Sequence, residues 1–176
     1  MTHPAIVLLR AINLGSHHKL PMAQLVALLE QAQCTEVQTY IQSGNVILRS
    51  KLQGDALRKH LESQLLAKLG VEIPVVVCSL DHWHTLAARC PFEQDNPTHL
   101  HVMFFAQPLA PVPLLEPLRY APERFAIDQR EIFLHLPKGM GVSKLAPVIS
   151  RKYPEGTARN WRTVLALTAL AEKLTA

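Results

Sequence analysis

The stretch VQTYIQSGNVIL, residues 37–48, sets two apolar runs, Val37–Ile41 and Val46–Leu48, on either side of Ser43, Gly44 and Asn45. Two short runs around a trio in which glycine can take a positive φ predict a β-hairpin. The trio itself has two readings. Ser, Gly and Asn are residues that turns select in any case, and a hydroxyl, an amide and a flexible backbone at a strand end also make a small hydrogen-bonding nest.

Working outward, a helix is predicted on each side of the hairpin. Before it, Pro21 suits a first helical position, and Met22, Leu25, Val26 and Leu29 follow at the spacing of one face, giving a helix over 21–32. After it, Leu57, Leu61, Leu65 and Leu69 recur every fourth residue up to Gly70, a helix stop. Beyond these helices stand two apolar runs, Ala5–Leu9 and Ile73–Cys78, that read as strands, the first as a central one. The order strand, helix, hairpin, helix, strand is the split βαβ arrangement of ferredoxin-like folds.

The second half predicts a short helix from Ser79 with Leu80, Trp83 and Ala87 on one side, then a strand in HVMFFA. Pro108, Pro111, Pro113 and Pro117 make the next stretch a loop. Strands Arg124–Ile127 and Glu131–Leu136 meet at Asp128-Gln129-Arg130, a Gly- and Lys-rich segment follows, and a helix over 157–174 closes the chain. The expected class is α+β, with duplicated ferredoxin-like subdomains over 1–79 and 80–176 packed as one unit, although the second ends in helix where the first ends in strand.

Composition bounds the function classes. The 176 residues are 48% hydrophobic and 18% charged, and no apolar run is long enough to span a bilayer. The opening MTHPAIVLLRAI lacks a basic leader and a small-residue cleavage site and reads as a strand. Cys34, Cys78 and Cys90 are odd in number and form no CxxC pair, which argues against a disulfide framework and a zinc site and makes the cytoplasm the expected compartment. A net charge of +4 without a basic run permits anionic partners and weighs against a large polyanion groove.

Three stretches carry polar residues that a core does not require. In LLRAINLGSHHKLPM, Arg10, Asn13, Gly15 and Lys19 lie between a strand and a helix start, where backbone N–H groups and a helix dipole can hold an anion, or where a solvated loop simply turns. The second is the Ser43-Gly44-Asn45 trio. In the third, KGMGVSKL with GTARNWRTV, the residues Gly139, Gly141, Ser143 and Lys144 are similar to a phosphate loop without its GxxxxGK[ST] spacing. Thr157 is the expected N-cap, followed by Arg159, Asn160 and Trp161 in the first turn. Arg159 and Arg162 against the positive end of a helix dipole imply an anion there or a pairing carboxylate. Trp161 fits a core stripe with Val164, Leu165 and Thr168, or a ligand platform.

Histidines offer little. His82 and His84 stand two apart on an expected helix and point apart; His99 and His101 would share a strand face, but nothing nearby completes a metal site. His17 and His18 read as solvated. No metal and no cofactor are expected.

Four segments, LLRAINLGSHHKLPMAQLVALL, VQTYIQSGNVILRS, LHLPKGMGVSKL and TARNWRTVLAL, together resemble a bacterial family catalogued as domain of unknown function 1697. The resemblance implies a two-subdomain, ferredoxin-like α+β fold and brings no activity with it. The family pattern R-G-I-N-V-G-G is met by Arg10, Asn13 and Gly15, while Ala11 and Ser16 replace two of its glycines, and a Cβ at Ser16 disfavours a backbone-only approach there. The polar positions it carries over are Arg10, Asn13, Lys19, Ser43, Gly44, Asn45, Ser143, Lys144, Thr157, Arg159, Asn160 and Trp161.

Four functional readings stay open on the sequence. One is a binding protein for a small phosphate- or carboxylate-bearing molecule, a nucleotide among them, with Arg10, Lys19, Lys144 and Arg159 supplying charge and Ser43, Asn45 and Asn160 orienting the ligand. Another is an enzyme of unknown reaction using the same pocket, for which Ser43 is the one hydroxyl to nominate. Nucleic-acid binding is not favoured, because AIVLLRAI and NVILRS carry no aromatics on which bases could stack, and it stays open only through backbone charge. The plainest is that the polar motifs knit the subdomains together. No membrane partner is expected, and the sequence does not predict an oligomeric state.

Overall fold

A computed structural model describes residues 1–13, 19–94, 96–110 and 117–175. The expectations for Gly15, Ser16, His17, His18, Pro111 and Pro113 lie outside the described residues. The chain divides into two compact units, Met1–Thr85 with Ala166–Ala176, and Leu86–Leu165. No helix of the described residues is long and apolar enough to cross a membrane.

In the first unit the order is β1 (His3–Leu9), α1 (Met22–Gln31), β2 (Thr35–Tyr40), β3 (Asn45–Ser50), α2 (Gly54–Leu69), β4 (Val75–Ser79) and α3 (Leu80–His84). The sheet runs β2-β3-β1-β4, with every neighbour antiparallel. In β1, Ala5, Val7 and Leu9 alternate onto the face covered by Leu25 and Leu29 of α1 and Leu57, Leu61 and Leu65 of α2. These five leucines are at most 1% exposed, and each contributes about 1.5–3 kcal/mol relative to exposure. Ile6 and Leu8 on the other face are also buried, so β1 is the central, doubly covered strand its unbroken apolar run predicts. Gly70 ends α2 in the left-handed region at φ 70°. Pro21 stands at the N-cap of α1, one position earlier than its predicted place inside the helix.

The second unit contains α4 (Leu86–Arg89), β5 (Leu100–Phe104), a 3₁₀ turn (Pro117–Tyr120), β6 (Arg124–Asp128), β7 (Glu131–His135), a second 3₁₀ turn (Met140–Val142), α5 (Leu145–Lys152) and β8 (Thr157–Asn160). Helix α6 (Trp161–Thr175) starts here and ends in the first unit, where Trp83 Nε1 of α3 donates to Thr168 Oγ1 at 3.0 Å. The sheet runs β6-β7-β5-β8, again antiparallel throughout. Counted from the first strand of each sheet, the order is second, third, first, fourth in both. Met103, Ile132, Leu134 and Leu136 pack against Leu145, Ala146, Ile149 and Tyr153 around α5.

Four sequence expectations change here. The predicted helix from Ser79 has its cap, Ser79 Oγ accepting the His82 N–H at 3.2 Å, but it breaks at Thr85, which leaves Leu86 buried and Ala87 exposed. The Gly- and Lys-rich segment contains α5, whose Pro147 is accommodated because first-turn N–H groups have no intrahelical acceptor. Residues Thr157–Asn160 form a strand paired with β5, not the first turn of the closing helix, and they alternate buried and exposed. Leu165 is 49% exposed, so the buried stripe of α6 runs Trp161, Val164, Leu167 and Ala171 instead.

Candidate functional site

In the first unit the predicted polar residues bind mainly their own chain. Asn13 Nδ2 donates to Leu20 O at 3.0 Å and to Gln42 O at 2.8 Å, and its Oδ1 accepts the Leu20 N–H at 2.7 Å. It takes φ 55°, a region that Asn tolerates better than most residues. Gly44 at φ 73° accepts the Leu9 N–H at 2.8 Å, and a Cβ there would lie 2.8 Å from Leu9 Cβ and 2.9 Å from Ile12 Cδ1. Asn45 is 0% exposed. Its Nδ2 donates to Tyr40 O at 3.1 Å and to Ser43 Oγ at 2.8 Å, closing the hairpin from inside. The loop after β1 and the hairpin tip therefore meet through Asn13–Gln42 and Leu9–Gly44. Arg10 is half-buried and anchors only its backbone, N–H to Pro74 O at 3.0 Å, while Lys19 is exposed; neither cation has a side-chain partner among the described residues.

In the second unit Thr157 is not a helix N-cap. Its Oγ1 accepts from Arg159 Nη1 at 2.8 Å along β8, and the same guanidinium nitrogen reaches Ala158 O at 2.8 Å. Burial pushes Arg159 down to about 10. The cap of α6 is Asn160, whose Oδ1 accepts the Thr163 N–H at 2.9 Å. Arg159 thus precedes the helix, and only Arg162 stands in its first turn. Trp161 is 1% exposed and offers no face to a ligand.

The phosphate-loop-like segment already holds an anion, and that anion is Glu123. Glu123 Oε2 accepts the Leu145 N–H at 2.8 Å, the Lys144 N–H at 3.2 Å and the Ser143 hydroxyl at 3.1 Å. Ser143 Oγ in turn accepts the Ala146 N–H at 2.9 Å. A carboxylate at this place is favoured by the helix dipole and by the unsatisfied first-turn N–H groups.

Beside this contact lies a cleft of about 250 Å³ lined by Arg119, Tyr120, Ala121, Pro122, Glu123, Pro137, Lys138, Val142 and Lys144. Arg119, Lys138 and Lys144 are exposed, and none pairs its side chain with an acid among the described residues. Of the twelve predicted site residues, only Lys144 lines this cleft. Arg119, Tyr120, Glu123 and Lys138 were not singled out, because nothing in their spacing marks them; their approach depends on the turns at 117–120 and 140–142. A larger cleft in the first unit, about 360 Å³, is lined by Glu62, Ser63, Leu66, Glu72, Ile73 and Pro74 and carries no cation among the described residues.

Two further polar groups lie outside the cleft; the sequence weighs His101 only as half of a pair with His99, and Arg89 and His135 not at all. Arg89 Nη1 lies 2.8 Å from Asp128 Oδ2 and 3.0 Å from Glu131 Oε2, and Glu131 is 0% exposed. Burial alone would push the Arg89 guanidinium down, but hydrogen bonds to the two carboxylates outweigh it and the net shift is upward. His101 and His135 each bury an Nδ1 with no hydrogen-bond partner, and burial lowers both imidazoles. His99 precedes β5, so it does not share a strand with His101. Among the described residues no group of three or more His, Cys, Asp or Glu could hold a metal.

A family model described as "Protein of unknown function (DUF1697)" matches residues 1–133. It ends inside β7, before the segments LHLPKGMGVSKL and TARNWRTVLAL. No curated protein matches the sequence. Among solved structures, the chain is similar to the conserved bacterial protein SP0830 from Streptococcus pneumoniae, with TM-score 0.77 and 18% identity over 97% of this chain and 99% of that one. At that identity the likeness concerns the fold alone.

Proposed function

The chain belongs to the DUF1697 family, whose description assigns no activity, and we propose that it binds a small anionic molecule in the basic cleft of its second unit. One observation carries the reading: the side chains of Arg119, Lys138 and Lys144 line the cleft without an acidic partner among the described residues, while Glu123, its one described carboxylate, is turned onto the start of α5. Cations that no described acid neutralises are available to a phosphate or carboxylate. The matching strand orders of the two sheets support reading each unit as a ferredoxin-like repeat of one pattern. We read the compartment as the cytoplasm, on three cysteines without a CxxC pair.

A second reading covers the polar motif residues outside the cleft. Asn13, Ser43, Asn45 and Asn160 serve the fold, and the bonds each makes to its own unit support this.

The test is a thermal-shift series at low ionic strength with phosphate, sulfate, acetate and citrate. Bound at ten times its dissociation constant, a ligand stabilises by about 1.4 kcal/mol, and the Lys138→Gln, Lys144→Gln double variant loses the shift. If no anion raises the transition temperature, the cleft is not an anion site.

A further inference from the structure

We infer that the ligand of this cleft is the dianion of a small organic phosphomonoester with an apolar or aromatic body, an inference that rests on the anion reading above and narrows it. Charge is the first argument. Three cations against the single carboxylate of Glu123 leave the described lining with a surplus of two positive charges. A phosphomonoester carries about −1.5 to −2 near neutral pH, and a carboxylate only −1.

Donor geometry is the second. The Lys144 and Leu145 N–H groups and the Ser143 hydroxyl already donate to Glu123, so an incoming anion is held by side-chain cations and not by a backbone nest. One planar guanidinium fork from Arg119 and two ammonium groups from Lys138 and Lys144 suit a tetrahedral group that presents three terminal oxygens.

Size and wall chemistry supply the rest. At about 250 Å³ the cleft falls below the range of roughly 300–1,000 Å³ typical of drug-sized sites. That leaves room for a phosphate and a ring-sized body, and not for a nucleoside triphosphate. The walls between the cations are Tyr120, Pro122, Pro137 and Val142. Tyr120 packs against the core of its unit, which makes it a fixed wall. Val142 is 67% exposed at the rim, an apolar side chain that a ligand body would cover.

Calorimetric titration of the full chain at low ionic strength with inorganic phosphate, phenyl phosphate, benzoate and ATP tests the inference. Phenyl phosphate is expected to bind about tenfold tighter than inorganic phosphate or benzoate, with ATP no tighter than inorganic phosphate. Val142→Ser, at an exposed position that does not endanger folding, should weaken phenyl phosphate several-fold and leave inorganic phosphate unchanged. Benzoate or ATP matching phenyl phosphate, or Val142→Ser without effect, overturns the phosphomonoester class while the anion reading stands. Failure of all four to bind overturns the anion reading itself.

Discussion

The carboxylate of Glu123 accepts the backbone N–H of Leu145 at 2.8 Å, joining the residue before β6 to the first residue of α5. The same oxygen takes the Ser143 hydroxyl at 3.1 Å and Ser143 Oγ accepts the Ala146 N–H at 2.9 Å, so Glu123 and Ser143 together satisfy the start of a helix that has no cap from Lys144, the residue at its N-cap position. Glu123→Ala should cost about 1–2 kcal/mol, seen as a lower urea midpoint with an unchanged denaturant slope. Glu123→Gln, which keeps an acceptor oxygen, should cost less. Equal losses in the two variants would mean that the hydrogen bonds contribute nothing.

Arg89 holds Glu131, a carboxylate with 0% exposure, at 3.0 Å. Arg89→Ala takes the nearer guanidinium from that buried charge, with Arg130 Nε 3.8 Å from Glu131 Oε1, and should destabilise by about 3–5 kcal/mol. Adding Glu131→Leu to Arg89→Met should recover most of the loss, because the penalty comes from a buried carboxylate that has lost its nearest cation. A double variant as unstable as Arg89→Ala would place the cost in packing instead.

Gly44 and Gly70 separate shape from backbone strain. Both have positive φ, 73° and 70°, but a Cβ at Gly44 would sit 2.8 Å from Leu9 Cβ, while none of the described residues lies within 4 Å of one at Gly70. Gly70→Ala should cost about 1–2 kcal/mol for the left-handed conformation, and Gly44→Ala should add about 1–3 kcal/mol for overpacking. The difference between the two midpoints reads the contact with β1 directly.

Acid should weaken the fold through His101. Its folded pKa lies below the ordinary 6.5 because burial disfavours the imidazolium. The unfolded chain therefore takes up the proton first as pH falls below that value. The stability this group contributes is complete above it and is lost as pH drops toward the folded pKa. Unfolding midpoints followed from about pH 7.5 to about pH 5 should fall more steeply for the native chain than for His101→Gln. The residual slope in the variant includes His135, which burial lowers in the same direction. Parallel slopes would refute the role of His101.

Legibility in the sequence followed the local periods. The apolar run of β1, the leucines of α2 spaced by four and the glycine stop at Gly70 all state their element within a few residues, and the structure has them there. The hairpin trio was legible as a turn, although the burial of Asn45 was not. β8 was missed because four residues, Thr157–Asn160, are too few to show a period of two, and Thr157 ahead of an apolar helix imitates a cap. α5 was missed because the glycines and lysines ahead of it dominate the segment, and its own eight residues carry a proline in the first turn. In the candidate site Lys144 was legible from its Gly-rich setting, but Arg119, Tyr120 and Lys138 look like ordinary surface residues in sequence.

What the sequence by itself determined is the α+β class, the strand order of elements in the first half and the family membership, since each depends on spacing within one segment or on matched motifs. Only the tertiary structure decided that a glutamate before β6 fills the helix start of a phosphate-loop-like segment, and that three separate cations line one cleft beside it. The reason is physical: periodicity encodes which face of an element is buried, whereas a carboxylate meeting an N–H 22 residues away is set by how turns and strands bring distant segments together.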